Sequence, residues 1–445
     1  MHARLIMRPA RLFGRFAISP MRMARKRASR RLAVILLVLY GFIAMVLPVG
    51  DSLSMTAAEA ASASHRYGLL SFEISNIPDK WVHRIYTALP WTHTSTSDRI
   101  AELERYMEIV PLIREAQYHV LQESARETVS AATLGEQQRT LDDLLHERDR
   151  LRDGVEEYLE SAISTQLKAQ GLGSGNAFLW PPVDFRIDNP PSLLVISPRD
   201  RIERSETILI DPNIPAADMD RIEDSLREEN NLSAVILRTG GLGSYPNVIP
   251  SDRDLLPMLE VAAHEWVHAY LIFYPLGRSF FNGGDMVTIN ETLANIVGDE
   301  IGGETWAALT GNPAPVRQPP PPVDDSVSQP DAGEFDYFQF MRQTRLRADE
   351  LLAAGDISGA ELWMEQRRLD LQDHGYILRK INQAFFAFNG SYGDSPSSTS
   401  PVAGQIWQLR GQKGSAVNLL KAMKRVSTYS EFEALLEQHG IVPAD

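Results

Sequence analysis

Apolar positions along this 445-residue chain follow three regimes: one unbroken run, several helical periodicities and a cluster of short alternating or β-branched stretches. The unbroken run is Leu32 to Val49, LAVILLVLYGFIAMVLPV, with no charged residue. Eighteen such residues suffice to span a bilayer core of roughly 30 Å as one helix. Residues 50–97 follow as a juxtamembrane linker, Ala/Ser-rich at first (TAAEAASAS). Residues 98–127 and 140–169 then predict two helices. In the second, Leu141, Leu144, Leu145, Leu151, Val155, Leu159, Ile163 and Leu167 recur at three- and four-residue intervals. Thr140 with Asp143 resembles a capping box, and TLGEQQ with Gly135 suits the turn between the helices. The expectation is a helical hairpin over 98–170 that packs on the body.

After residue 178 the pattern changes to strands, expected at 183–188, 192–197, 206–210 and 233–239, with a helix at 219–230 between the last two. GGLGSYPNVI (240–249) suits an edge strand, where Pro246 is tolerated. A largely apolar helix is expected over 254–272 and a second over 287–306. A Pro-rich segment (312–334) cannot pack and predicts a loop or linker, beyond which a helical lobe fills 335–445. The fold class is therefore α+β, mainly helical, with its core at 178–311.

Composition sharpens the picture in two places. There is no cysteine, which excludes disulfides, thiolate metal sites and cysteine nucleophiles. Any metal must be held by His, Asp or Glu. The net charge of −14 is also unevenly spread. Residues 1–31 carry ten Lys or Arg and no acid, leaving 34 basic against 58 acidic residues in the rest. An acidic body argues against nucleic-acid binding. The basic tail before the apolar run predicts a cytoplasmic N-terminus and an exported body held by a single-pass anchor. A cleaved signal peptide is the alternative, since AEA (58–60) and ASA (61–63) resemble cleavage sites.

The chemistry-bearing stretch is His264-Glu-Trp-Val-His268. Four residues apart on a helix, the two imidazoles share one face and can converge on one ion. Glu265 is rotated by about 100° and can take a proton from a metal-bound water. Zn²⁺ suits two imidazoles, a carboxylate and an open fourth position. By chance, this pattern arises in on the order of one in a hundred chains with this many histidines. Downstream, the 287–306 helix opens with Asn290-Glu291, and Asp285, Asp299, Glu300 and Glu304 are rival carboxylates. Leu271 and Tyr274 occupy the positions where metzincins carry Gly and His, which excludes that class.

With HEWVH followed by NETLANIVGDEIG, the chain resembles the gluzincin metallopeptidases. It is most similar to a bacterial family of predicted aminopeptidases with HExxH and N-E-x-x-A-x-x-x-x-x-x-G, matched here by Asn290, Glu291, Ala294 and Gly302. The resemblance covers residues 254–305, little more than a tenth of the chain. It implies a zincin-like catalytic domain with a small N-terminal-lobe sheet, zinc held by His264, His268 and Glu291, and Glu265 as general base. Where thermolysin-like members carry an Asp that orients a zinc histidine, this chain has Asn295. The resemblance favours Tyr392 as oxyanion donor over His374 and Tyr376, which are expected to begin a helix. Packing beside Phe385, Phe386 and Phe388 is the structural alternative for Tyr392. The resemblance also implies that 240–249 is an edge strand that pairs with substrate backbone, with a plain turn as the alternative.

The expected function is a membrane-anchored zinc metallopeptidase acting on a peptide or protein, with an aminopeptidase as one form. The alternative is a non-catalytic envelope protein of zincin fold that binds a partner through its hairpin.

Overall fold

The computed structural model describes residues 55–69, 71–73, 95–124, 130–173, 179–319 and 335–442. The basic tail (1–31), the apolar run (32–49), most of the linker and the centre of the Pro-rich segment lie outside the described residues. No helix among the described residues is long and apolar enough to cross a membrane.

Two long helices form the hairpin, α2 (Thr96–Ser124) and α3 (Ala131–Ala169), after a short α1 (Ala57–Ala61). Helix α3 starts nine residues before the expected Thr140. Ser130 caps it, its hydroxyl accepting from the Thr133 amide. Thr140 instead sits inside the helix, donating to the Glu136 carbonyl. Gly135 faces open space, where an exposed helical glycine costs only about 1 kcal/mol. The TLGEQQ turn is thus corrected to helix.

The apolar rows of the hairpin are buried as expected. Leu103, Tyr106, Val155, Leu159, Ile163 and Leu167 join one core with Met258, Trp266, Ile289 and Leu293. The hairpin also caps a strand. Glu156 and Glu160, one turn apart on α3, accept the amides of Ile187 (2.7 Å) and Phe185 (3.0 Å). Those amides belong to β1 (Phe185–Ile187), whose other edge pairs in parallel with β5 (Asn247–Ile249).

Between them in sequence runs an antiparallel sheet ordered β3-β2-β4: β2 (Ser192–Pro198), β3 (Glu206–Ile210) and β4 (Leu232–Arg238). Side chains alternate across it. Leu194, Ile196, Ala234 and Ile236 face α4 (Ala216–Asn230), whereas Val195 and Val235 face the C-terminal helices. Glu223, buried on α4, accepts the Ile236 amide (2.6 Å) and pairs with Arg379 and Lys380. The expected edge strand at 240–249 is strand only at 247–249, tied back by a bridge from Leu242 to Val248.

Next come α5 (Leu255–Leu271), α6 (Pro275–Ser279) and α7 (Asp285–Thr310), then the C-terminal lobe. That lobe is helical as expected: α8 (Tyr337–Ala353), α9 (Ile357–Asp373), α10 (Gln383–Asn389), α11 (Val402–Lys413), α12 (Ala416–Met423) and α13 (Tyr429–Gln438). His374 and Tyr376 do not begin a helix. Helix α9 ends at Asp373; the His374 ring stacks on Phe335, and Tyr376 stacks on Tyr337 and lies tilted against Phe335.

Candidate metal centre

The centre is built where α5 crosses α7. Gly298 and Gly302 lie on the α7 face toward α5. A Cβ on Gly302 would stand 2.5 Å from the Glu260 nitrogen, and one on Gly298 would stand 2.9 Å from the His264 Cβ. Only glycine lets the helix backbones approach this closely. The close crossing brings Glu291, on the first half of α7, beneath the α5 histidines.

His264 Nε2 and His268 Nε2 are 3.0 Å apart, and Glu291 Oε2 lies 3.5 Å from each. For metal bonds of about 2.0–2.1 Å at tetrahedral angles, donor atoms should be separated by about 3.4 Å. The observed triangle fits that requirement. Glu291 Oε2 is buried and accepts no hydrogen bond, as suits a donor reserved for a cation. Glu265 also brings an oxygen within 4.8 Å of both ring nitrogens and so rivals Glu291 for the third position. The triangle with Glu291 is tighter, and the adjacent placement of Glu265 on α5 turns it aside from the imidazole face.

Charge within the cluster is strongly coupled. Burial alone would lower the His268 pKa, but the Glu291 carboxylate beside it outweighs burial and lifts it to about 9, with Glu265 and Asn290 adding to the effect. Burial opposes ionisation of Glu291 too, yet the two histidines hold it well below the usual carboxylate range. Glu265 is raised, first by burial and then by the Glu291 charge, against the pull of both histidines. A buried carboxylate with a raised pKa suits proton transfer near neutral pH.

Two segments close over this cluster. The first is Gly240–Ser244. A Cβ on Gly241 would collide with Glu265 Oε1, and one on Gly243 would lie 3.3 Å from Glu265 Oε2 and from the His268 Cβ. Leu242 exchanges both backbone bonds with Val248, whereas the Gly241 and Gly243 amides donate to no backbone acceptor among the described residues. The second is the turn after α10. The Gly393 amide donates to Thr292 Oγ1 (3.2 Å), next to Glu291, and docks Tyr392 and Asp394 on α7. Burial raises the Tyr392 hydroxyl pKa well above its usual value, and the charges of Glu291 and Glu265 raise it further. The same ring meets Phe388 edge-on at 5.7 Å. Packing and proximity to the carboxylates therefore hold together at Tyr392.

Asn295, expected to orient a histidine, donates instead to both oxygens of Asp394 (2.9 and 3.1 Å). Asp394 is half-buried; desolvation raises its pKa, and it feels the His264 charge. The sequence reading missed Asp394: its position two residues after Tyr392 carries no motif, and only the docking on Thr292 brings it here. Asp299 also senses His264 and is held by Arg317 at 3.6 Å. Two rivals are engaged elsewhere, Glu300 with Arg410 and the Ala416 amide, and Glu304 with Gln170. Asp285 opens α7.

Comparison with protein-family models, curated proteins and solved structures returns no match.

Proposed function

We propose that this chain is a zinc-dependent metallopeptidase of gluzincin type, its body a zincin-like domain carried outside the cytoplasm by a membrane anchor at 32–49. The observation that carries the reading is the His264–His268–Glu291 triangle with Glu265 beside it. His264, His268 and Glu291 hold the metal. When bound, zinc supplies a Lewis acid and a water of lowered pKa.

The chain's own residues do the rest. Glu265 takes the proton of the attacking water and passes it to the leaving amine. The Tyr392 hydroxyl, kept protonated by its surroundings, donates to the oxyanion of the tetrahedral intermediate. The Gly241 and Gly243 amides, which donate to no backbone acceptor among the described residues, suit an extended peptide laid along Glu265. An aminopeptidase is one form of this activity, and peptides with free or blocked N-termini distinguish it from an endopeptidase.

The decisive experiment is Glu265→Gln in the full chain. Zinc content should stay at one equivalent while peptide hydrolysis falls by about 10²–10⁴-fold. Full activity in that variant would sink the mechanism. Full retention of structure with less than about half an equivalent of zinc in the wild type would instead favour a scaffold acting through partners.

A further inference from the structure

Beyond the end of the HEWVH helix, the surface changes character. Ile272 and Phe273 are 56 % and 51 % exposed, and Phe281 is 81 % exposed, the most of any aromatic ring among the described residues. Single exposed apolar residues need no explanation, but three on one helix–turn–helix corner do. Two of them sit in ring pairs: Phe273 stands beside Trp180, and Phe281 meets Phe280, which lies T-shaped to His268 at 6.1 Å.

The same corner is basic on an otherwise acidic body. Arg278, in α6, and Arg425 are exposed, and Lys424 lies beside them, its carbonyl accepting the Leu276 amide. The Lys424 ammonium sits over the Tyr274 ring at 4.1 Å and donates to the Tyr270 hydroxyl. None of these three cations forms an ion pair with an acid among the described residues, although the chain after residue 31 carries 58 acids against 34 bases. Two exposed acids lie close along the chain, Asp285 four residues after Phe281 and Glu431 six after Arg425, the latter accepting from the Ser427 amide and hydroxyl.

Exposed aromatic and aliphatic side chains flanked by unpaired Lys and Arg have the composition of a membrane-interface contact. The rings sit at headgroup depth, and each cation adds about 1 kcal/mol against anionic lipid. We propose that the corner formed by Ile272, Phe273, Phe281, Arg278, Lys424 and Arg425 docks on an anionic bilayer surface and holds the metal centre beside it. The proposal rests in part on the anchor reading. An anchor at 32–49 would already carry the body on a bilayer. Substrates would then be peptide segments lying close to the bilayer.

The absence of cysteine permits single-site labelling of the full chain. An environment-sensitive fluorophore at Asn282→Cys, beside Phe281, is compared with one at Leu362→Cys on α9, in vesicles of phosphatidylglycerol or phosphatidylcholine carrying a nitroxide lipid. Flotation in high salt reports the anchor independently. Docking predicts quenching at 282 but not 362, in anionic vesicles at low salt. Replacing Arg278 and Arg425 together by Gln should shift the docked equilibrium about thirtyfold toward the undocked state, as two cations at about 1 kcal/mol each imply. No quenching at 282 in anionic vesicles overturns the proposal, whether or not the protein floats, and leaves a protein partner as the occupant. Equal quenching at 362, or in neutral vesicles, overturns it too. Quenching at 282 without flotation in salt upholds docking and removes the anchor.

Discussion

Two groups of buried glutamates divide this molecule. Glu156, Glu160 and Glu223 sit at the edges of the two sheets, and each accepts a strand amide; Glu223 also pairs with two cations. Glu265 and Glu291 are buried to a similar degree at the α5–α7 crossing, yet Glu291 lies against two imidazoles and, among the described residues, no backbone amide donates to either carboxylate. Burying a carboxylate without donors is expensive, so the first group explains itself as structure and the second does not. The first group replaces missing neighbours at strand edges that would otherwise be open to pairing. The second has the arrangement that the proposed metal would complete.

That contrast can be broken most directly by exchanging outcomes between the groups. Glu291→Ala should drop zinc below half an equivalent and abolish hydrolysis, and should cost the metal-free chain some stability, because the two histidines lose the carboxylate that they hold ionised. Glu160→Ala should keep zinc and activity but lose about 1–3 kcal/mol of stability, the penalty of leaving the Phe185 amide without an acceptor. Metal analysis and chemical denaturation of both variants check this. A stability loss in Glu291→Ala that matches Glu160→Ala, with zinc retained, would erase the distinction.

A second comparison tests the crossing that creates the site. At Gly302 an added methyl stands 2.5 Å from the Glu260 backbone, whereas at adjacent Gly303 its nearest neighbour is Pro315 Cδ at 3.3 Å. Gly302→Ala should destabilise by about 1–3 kcal/mol despite the better helix former, and should weaken zinc binding as Glu291 moves off the histidines. Gly303→Ala should lie within about 1 kcal/mol of wild type. Equal behaviour of the two would mean that the helices can part without consequence.

The sequence was most readable where function and periodicity act locally. The HEWVH helix, the helix opening with Asn290-Glu291 and the strands of the main sheet follow from spacing alone, because each pattern repeats within one element. Gly302 entered as part of a likeness and acquires its physical reason only from the Glu260 backbone across the crossing. What the sequence hid are bonds between distant segments: Glu160 to Phe185, Asn295 to Asp394, Gly393 to Thr292. A side chain that completes another element's hydrogen bonding leaves no periodic trace in its own. The misplaced hairpin turn has a different cause, since a glycine in an exposed helix carries the same letter as one in a turn.

Asp299 falls between the two groups of glutamates and sharpens the contrast in a small effect. Burial, then the nearby Glu260 charge, raises its pKa to about 6, while Arg317 at 3.6 Å only partly offsets them. The folded chain therefore holds this proton more tightly than the unfolded chain, whose carboxyl titrates near 3.8. Its contribution favours the fold fully below that value and is lost as pH rises through about 6. Asp299→Asn, neutral throughout, should match wild type at pH 4 and melt at a slightly higher temperature at pH 7.5, with the difference opening between. If the variant melts lower at pH 7.5, attraction to Arg317 outweighs burial. Asp299 then belongs with the glutamates whose charge is fully met, and Glu265 and Glu291 stand alone.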